Sequence, residues 1–154
     1  MDIKPTLVLD SKEPLSKAIS ELTDTGTAVV VTKKGKYYGT IDDRSLGYAF
    51  TDTKRTQCET VITKPPTLSP ESGVLARIKA FLLGHFKALP VVDGEGQVLG
   101  ITTRVELLQD MLDAKLMPKS KVSDLMSAPV YTIDENDTIA NARHCSKNTN
   151  AAGW

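Results

Sequence analysis

The chain contains its own sequence twice, and nothing else in it constrains the fold as strongly. Residues 27–46, TAVVVTKKGKYYGTIDDRSL, lie without a gap over residues 88–107, ALPVVDGEGQVLGITTRVEL. Val30-Val31 fall on Val91-Val92, Gly35 on Gly96, Gly39 on Gly100 and Leu46 on Leu107. Each copy reads as strand, glycine-containing turn, strand and then helix. The turn stands between short apolar runs, as a β-hairpin requires.

A helix is expected upstream of each hairpin. Residues 13–26 set Leu15, Ala18, Ile19 and Leu22 at i, i+3, i+4 and i+7, one apolar stripe that stops at Gly26. Residues 71–86 repeat the pattern with Val74, Leu75, Ile78, Phe81 and Leu82, and Gly84 as the stop. Before each helix lies a short proline-containing extended segment, KPTLVL (4–9) and KPPTLS (64–69). The fold class is therefore α/β, a tandem of β-α-β-β-α units. Repeat 1 is placed at residues 1–52 and repeat 2 at 56–113. A linker follows at 114–122, where Pro118 is expected to end the preceding helix.

A third copy begins at residue 123. Residues 123–154 align without gaps on residues 58–89, so Trp154 falls on Leu89 and the copy breaks off inside its hairpin. This reads as a fragment of a longer polypeptide. An ordinary C-terminal helix with a frayed tail is the alternative, since terminal repeats are often atypical.

Composition narrows the classes of function. At 154 residues, about two-thirds of the unfolded surface can be buried. Nineteen basic residues balance nineteen acidic ones, which argues against broad electrostatic binding to nucleic acid or to a membrane. No apolar run has the length of a membrane span, and the start MDIKPTLVLD lacks the form of a signal peptide. Cys58 and Cys145 lie far apart, without the spacing of a zinc site or a disulfide framework. A cytoplasmic protein is expected. No phosphate-binding G-x-x-x-x-G-K-[ST], no H-E-x-x-H and no catalytic-triad spacing occurs, so catalysis is not expected.

The repeat resembles the CBS domain, named after cystathionine β-synthase. The likeness is carried by residues 89–107, LPVVDGEGQVLGITTRVEL, with their Pro-Val-Val-Asp hairpin and a Gly-h-h-Thr step into a helix. Residues 122–139, VSDLMSAPVYTIDENDTI, are similar to the opening of a further CBS repeat. Repeat 1 lacks the hairpin proline and the threonine. The resemblance implies two repeats packed sheet against sheet about a pseudo-twofold axis, with clefts for AMP, ADP, ATP, S-adenosylmethionine or a related adenosyl compound. It also implies a regulatory module that passes a shape change to a partner protein, a neighbouring domain or a further CBS repeat, and one that forms homodimers. A module with empty pockets that serves only dimerisation or partner control is the alternative.

By this resemblance the ligand-binding residues are expected in repeat 2. Thr103 would meet phosphate at a helix N-terminus, where free N–H groups favour an anion, and Arg104 would add charge. Glu106, one methylene longer than the family's aspartate, would accept from the ribose hydroxyls. Thr63, Lys64 and Pro65, then Lys87, Ala88 and Leu89, would line the opposite wall. The same residues also satisfy a ligand-free reading, in which Thr103 and Glu106 form a T-x-x-E capping box. Repeat 1 has Asp42 and Ser45 at the corresponding positions, and a carboxylate repels phosphate, so its site is expected to be silent or to take an uncharged or cationic group. Lys33–Lys36 reads as a solvated turn tip, His85 as a helix-end surface residue, and His144-Cys145 as neighbours on different helix faces. Apolar residues of the third copy, Met126, Tyr131, Ile133 and Ile139, are expected to add sticky surface.

Overall fold

A computed structural model of the chain describes residues 1–46, 52–84, 86–126 and 132–148. The expectations for Tyr131, His85 and Trp154, and for the His144 side chain, lie outside the described residues. Contacts divide the chain into two units, Met1–Leu116 and Met117–Trp154.

The first unit holds both complete repeats. In repeat 1, β1 (Val8–Asp10) leads to α1 (Leu15–Thr25), then β2 (Val29–Lys33) and β3 (Lys36–Ile41). β1 runs parallel to β2, and β2 pairs antiparallel with β3. Gly26 ends α1 in the left-handed conformation, its N–H donating to the Leu22 carbonyl, as the stop at the end of the apolar stripe required. In repeat 2, a single bridge at Leu68 takes the place of β1. α2 (Val74–Leu82) follows, then β4 (Ala88–Val92), β5 (Val98–Thr103) and α3 (Arg104–Asp113).

Two sequence expectations need correction here. Residues 43–46 form a turn and not the first turn of the helix expected after β3, and residues 47–51, where that helix would continue, lie outside the described residues. The gapless alignment also slips by one residue in the first hairpin strand. Val31 faces Gly39 and Val91 faces Gly100, each followed at once by a register irregularity. Val31 and Val91 are therefore equivalent, and the second hairpin is longer by one residue. Side chains alternate across a strand, so pairing Val30 with Val91 would have equated opposite faces. The burial agrees: Val29 and Val31 lie in one core, Leu89 and Val91 in the other.

Each repeat lends its opening segment to the other. Lys4 and Ile101 exchange two backbone hydrogen bonds of 2.8 and 2.9 Å, tying the start of repeat 1 to β5. Thr63 and Thr40 do the same at 2.8 and 2.9 Å, tying the start of repeat 2 to β3. The side chains follow. Met1 and Ile3 pack into the core of repeat 2, with Phe81, Leu89 and Leu107. Cys58, Val61 and Ile62 pack into that of repeat 1, with Leu9, Leu15 and Val29. A third cluster of Ala28, Val30, Ala88 and Ile101 joins the two sheets.

The crossings explain the shared glycines. A Cβ on Gly39 would stand 2.8 Å from the Thr63 carbonyl oxygen, and one on Gly100 would collide with the Lys4 carbonyl. Gly100 also holds φ at +152°. Only glycine admits a backbone this close.

α2 and α3 are joined through Arg77, 2% exposed, whose guanidinium lies 2.6 Å from the Asp110 carboxylate. The second unit contains α4 (Val122–Leu125) and α5 (Ile139–Asn148), with Met126, Ile133 and Ile139 exposed. α3 ends at Asp113, well before Pro118, its next N–H groups turning back to Asp110 and Leu112. Pro118 is therefore not what stops the helix.

Candidate functional site

β5 delivers Thr103 directly to the N-terminus of α3, and the capping box is formed. Thr103 Oγ1 accepts from the Val105 N–H at 3.2 Å, and Glu106 Oε2 accepts from the Thr103 N–H at 2.9 Å. The Thr103 hydroxyl also donates to Glu106 Oε2. The other carboxylate oxygen meets Lys4 Nζ at 2.5 Å. Glu106 is 5% exposed while Lys4 is 51% exposed, so a half-solvated cation covers a buried anion. Burial alone would push the Glu106 carboxyl up. The hydrogen bonds from Lys4 and Thr103 outweigh it and hold the group at about 2. Arg104, the first residue of α3, is exposed, and among the described residues it forms no ion pair.

Repeat 1 builds the same corner with the two chemical groups exchanged. Asp42 Oδ1 accepts from the Ser45 N–H and hydroxyl, both at 3.0 Å, and the Asp42 N–H donates to Ser45 Oγ at 3.2 Å. The carboxylate is now the cap and the hydroxyl sits three residues on. Arg44 Nη2 donates to Asp42 Oδ2 at 3.1 Å, and the guanidinium carbon lies 5.6 Å from the centre of the Phe86 ring. Burial opposes ionisation of Asp42, but the Ser45 and Arg44 contacts hold its carboxyl below the usual range.

The structure divides the residues expected to share one cleft. Thr63 is bonded to Thr40 at the end of β3, and their hydroxyls lie 3.3 Å apart. Lys64 lies over the Tyr38 ring at 4.9 Å, and Pro65 is buried next to it in sequence. Lys87 Nζ pairs with Asp43 of repeat 1 at 2.6 Å. Thr63, Lys64 and Lys87 thus contact β3 and the turn that follows it, not Thr103–Glu106. The cause is the crossing, which makes Lys4 the counterpart of Thr63 beside Thr103. Ala88 faces Thr103 across the β4–β5 pair. The Leu89 side chain is wholly buried in the core of repeat 2 and lines no cleft.

Sequence reasoning missed Lys4. Only its distance from residue 101 hid it, since a basic residue opening a repeat carries no mark of the strand it will join.

A separate depression of about 530 Å³ lies between Thr67–Ser72 and Val92–Gly94. The Ser69 and Ser72 hydroxyls on its wall already bond to each other at 3.3 Å. Among the described residues, no cluster of His, Cys, Asp and Glu is placed to hold a metal, and no helix is long and apolar enough to cross a membrane.

Residues 58–113 match the CBS domain family model. An uncharacterized protein of Methanocaldococcus jannaschii is 28% identical over 151 residues, a match that covers 96% of this chain and 35% of that protein. The chain thus spans about a third of the length of this relative. Among solved structures, a CBS domain pair/ACT domain protein from Thermotoga maritima has a TM-score of 0.63 at 15% identity, covering 73% of this chain and 93% of that one. CBSX2 in complex with AMP has a TM-score of 0.61 at 20% identity, covering 73% and 94%.

Proposed function

Because the chain is a CBS-domain protein with two repeats in one unit, we propose that it is a regulatory module whose second corner, around Thr103 and Glu106, binds an adenine nucleotide or adenosyl compound. The supporting observation is the buried Glu106 carboxylate, held ionised at a helix N-terminus beside a hydroxyl and under a half-exposed lysine. An ionised carboxylate accepts from two vicinal ribose hydroxyls, and the N-terminus of α3 with Thr103 and Arg104 suits a phosphate. CBSX2, of like fold, holds AMP. Repeat 1 offers Asp42 where a phosphate would lie and Ser45 where the ribose acceptor is needed. It is the silent corner. Binding changes the shape of the module, and that change is passed to a partner protein, a neighbouring domain or a further repeat rather than to nucleic acid.

Calorimetry with AMP, ADP, ATP and S-adenosylmethionine tests this. Glu106→Gln is expected to weaken binding about tenfold, by removing charge from the acceptor, while Ser45→Ala leaves it unchanged. Equal losses from both variants would place the ligand elsewhere.

A second reading has its own support. Leu75, Leu82 and Leu83 of and beside α2, with Val105, Leu108 and Leu112 of α3, are exposed on repeat 2. Apolar residues gathered on two packed helices suit a homodimer in which the module serves as an interaction surface. Sedimentation at tens of micromolar (roughly the range of a modest interface) is expected to show dimer, and Leu82→Glu with Leu108→Glu to give monomer. A wild type that stays monomeric there would end this reading.

A further inference from the structure

The corner of repeat 2 is closed over by a residue from the other repeat, and this bears on which ligands it takes. Lys4 is fixed at its backbone by the two hydrogen bonds to Ile101, while its side chain is half exposed and ends on Glu106. Its counterpart in the other corner, Thr63, carries no charge and contacts Thr40. Lys4 therefore distinguishes the two corners as sharply as Glu106 does, and it is the movable member of the pair.

We propose that Lys4 is the specificity-determining residue of the adenosyl site, selecting ligands that carry both a vicinal diol and an anionic group such as phosphate. The inference rests on the binding reading given above. A ribose that donates both its hydroxyls to Glu106 needs both lone pairs of Oε1, one of which Lys4 now holds, since Oε2 already accepts twice from Thr103. The displaced ammonium needs a new anion. A phosphate at the α3 N-terminus provides one within reach of the same anchored segment, and an uncharged nucleoside does not. A neutral ligand loses the Lys4–Glu106 pair without replacing it. A phosphorylated ligand exchanges one charge-assisted contact for two, carboxylate to ribose and lysine to phosphate. Arg104, exposed at the same helix start, adds to the preference without being released from any partner.

The test is calorimetry of AMP and adenosine against wild type, Lys4→Met, Lys4→Arg and Glu106→Gln. Wild type is expected to prefer AMP. In Lys4→Met the ratio of AMP to adenosine affinity falls about tenfold, the size of one charge-assisted contact, and adenosine binds at least as well as to wild type because no pair has to open. Lys4→Arg keeps the charge and so keeps the preference, which separates selectivity from any packing defect of the methionine variant. An unchanged ratio in Lys4→Met, or equal affinity of wild type for both ligands, overturns the role of Lys4 and leaves the site standing. Wild type that binds neither ligand, or binding indifferent to Glu106→Gln, overturns the site itself and this inference with it.

Discussion

Glu106 shows how a single side chain serves two readings of one motif. As the third residue of α3 it completes a cap that needs no ligand, and as a buried anion it is an acceptor for one. Its folded carboxyl lies near 2, below the ordinary value of 4.5. A depressed carboxyl favours the folded state at pH above 4.5 and loses that contribution as pH falls toward 2. Acid titration of stability is therefore expected to cost wild type on the order of 2 kcal/mol more than Glu106→Gln over that interval, after discounting for the solvent around Lys4. Urea melts of both proteins at stepped pH check this. Parallel curves would mean that the pair carries no net stability. At this scale the sequence was legible where the chemistry is local. Thr103 and Glu106 are three residues apart, and their spacing alone announces the box. Lys4 was not legible, because nothing in a lysine near the start of a chain names its partner.

Among the elements, the hairpin strands were readable as apolar runs around a glycine turn and the first helix of each repeat from its apolar stripe, and the failures are specific. Residues 42–46 look like the start of α3 and make the same corner, yet they form a turn. Local capping chemistry was present, but a capping contact alone does not carry the chain into a helix. The slipped strand alignment failed for another reason: valines and leucines on both faces gave no alternation to fix the register. α3 also needs α2. Arg77 is buried with Asp110 as its ionic partner, so Asp110→Ala would strand a guanidinium in the core. That variant is expected to lose about 2–3 kcal/mol, somewhat below the loss for a fully buried pair because Asp110 is a quarter exposed. Replacing both residues together, as Arg77→Met with Asp110→Ala, is expected to recover part of it. Chemical denaturation of the single and double variants separates the two, and an additive loss would contradict the pairing.

At the scale of the molecule, the repeats are legible as sequence but not as bodies in space. Residues 1–4 belong by sequence to repeat 1 and by packing to repeat 2, and residues 58–63 make the opposite exchange. The glycines that let the segments cross are thus as much a part of the architecture as the cores. Gly100→Ala is expected to cost more than 2 kcal/mol, since it combines a forbidden backbone angle with a collision against Lys4. Gly39→Ala should follow it closely. Gly94→Ala, where an added Cβ meets open space, is expected to fall within about 0.5 kcal/mol of wild type. Thermal melts of the three rank them, and a Gly100→Ala protein as stable as Gly94→Ala would deny the close approach.

The exchanged segments also set a timetable. Residue 4 can take its place only once residue 101 exists to receive it, so a growing chain leaves Met1 and Ile3 uncovered until β5 has been made. Closing so long a loop is entropically expensive and comes late, after the local hairpins have formed. Neither half can mature alone. The two must finish in one cooperative step, and the ligand-facing corner, with Lys4 over Glu106, is completed only at the moment the whole unit closes.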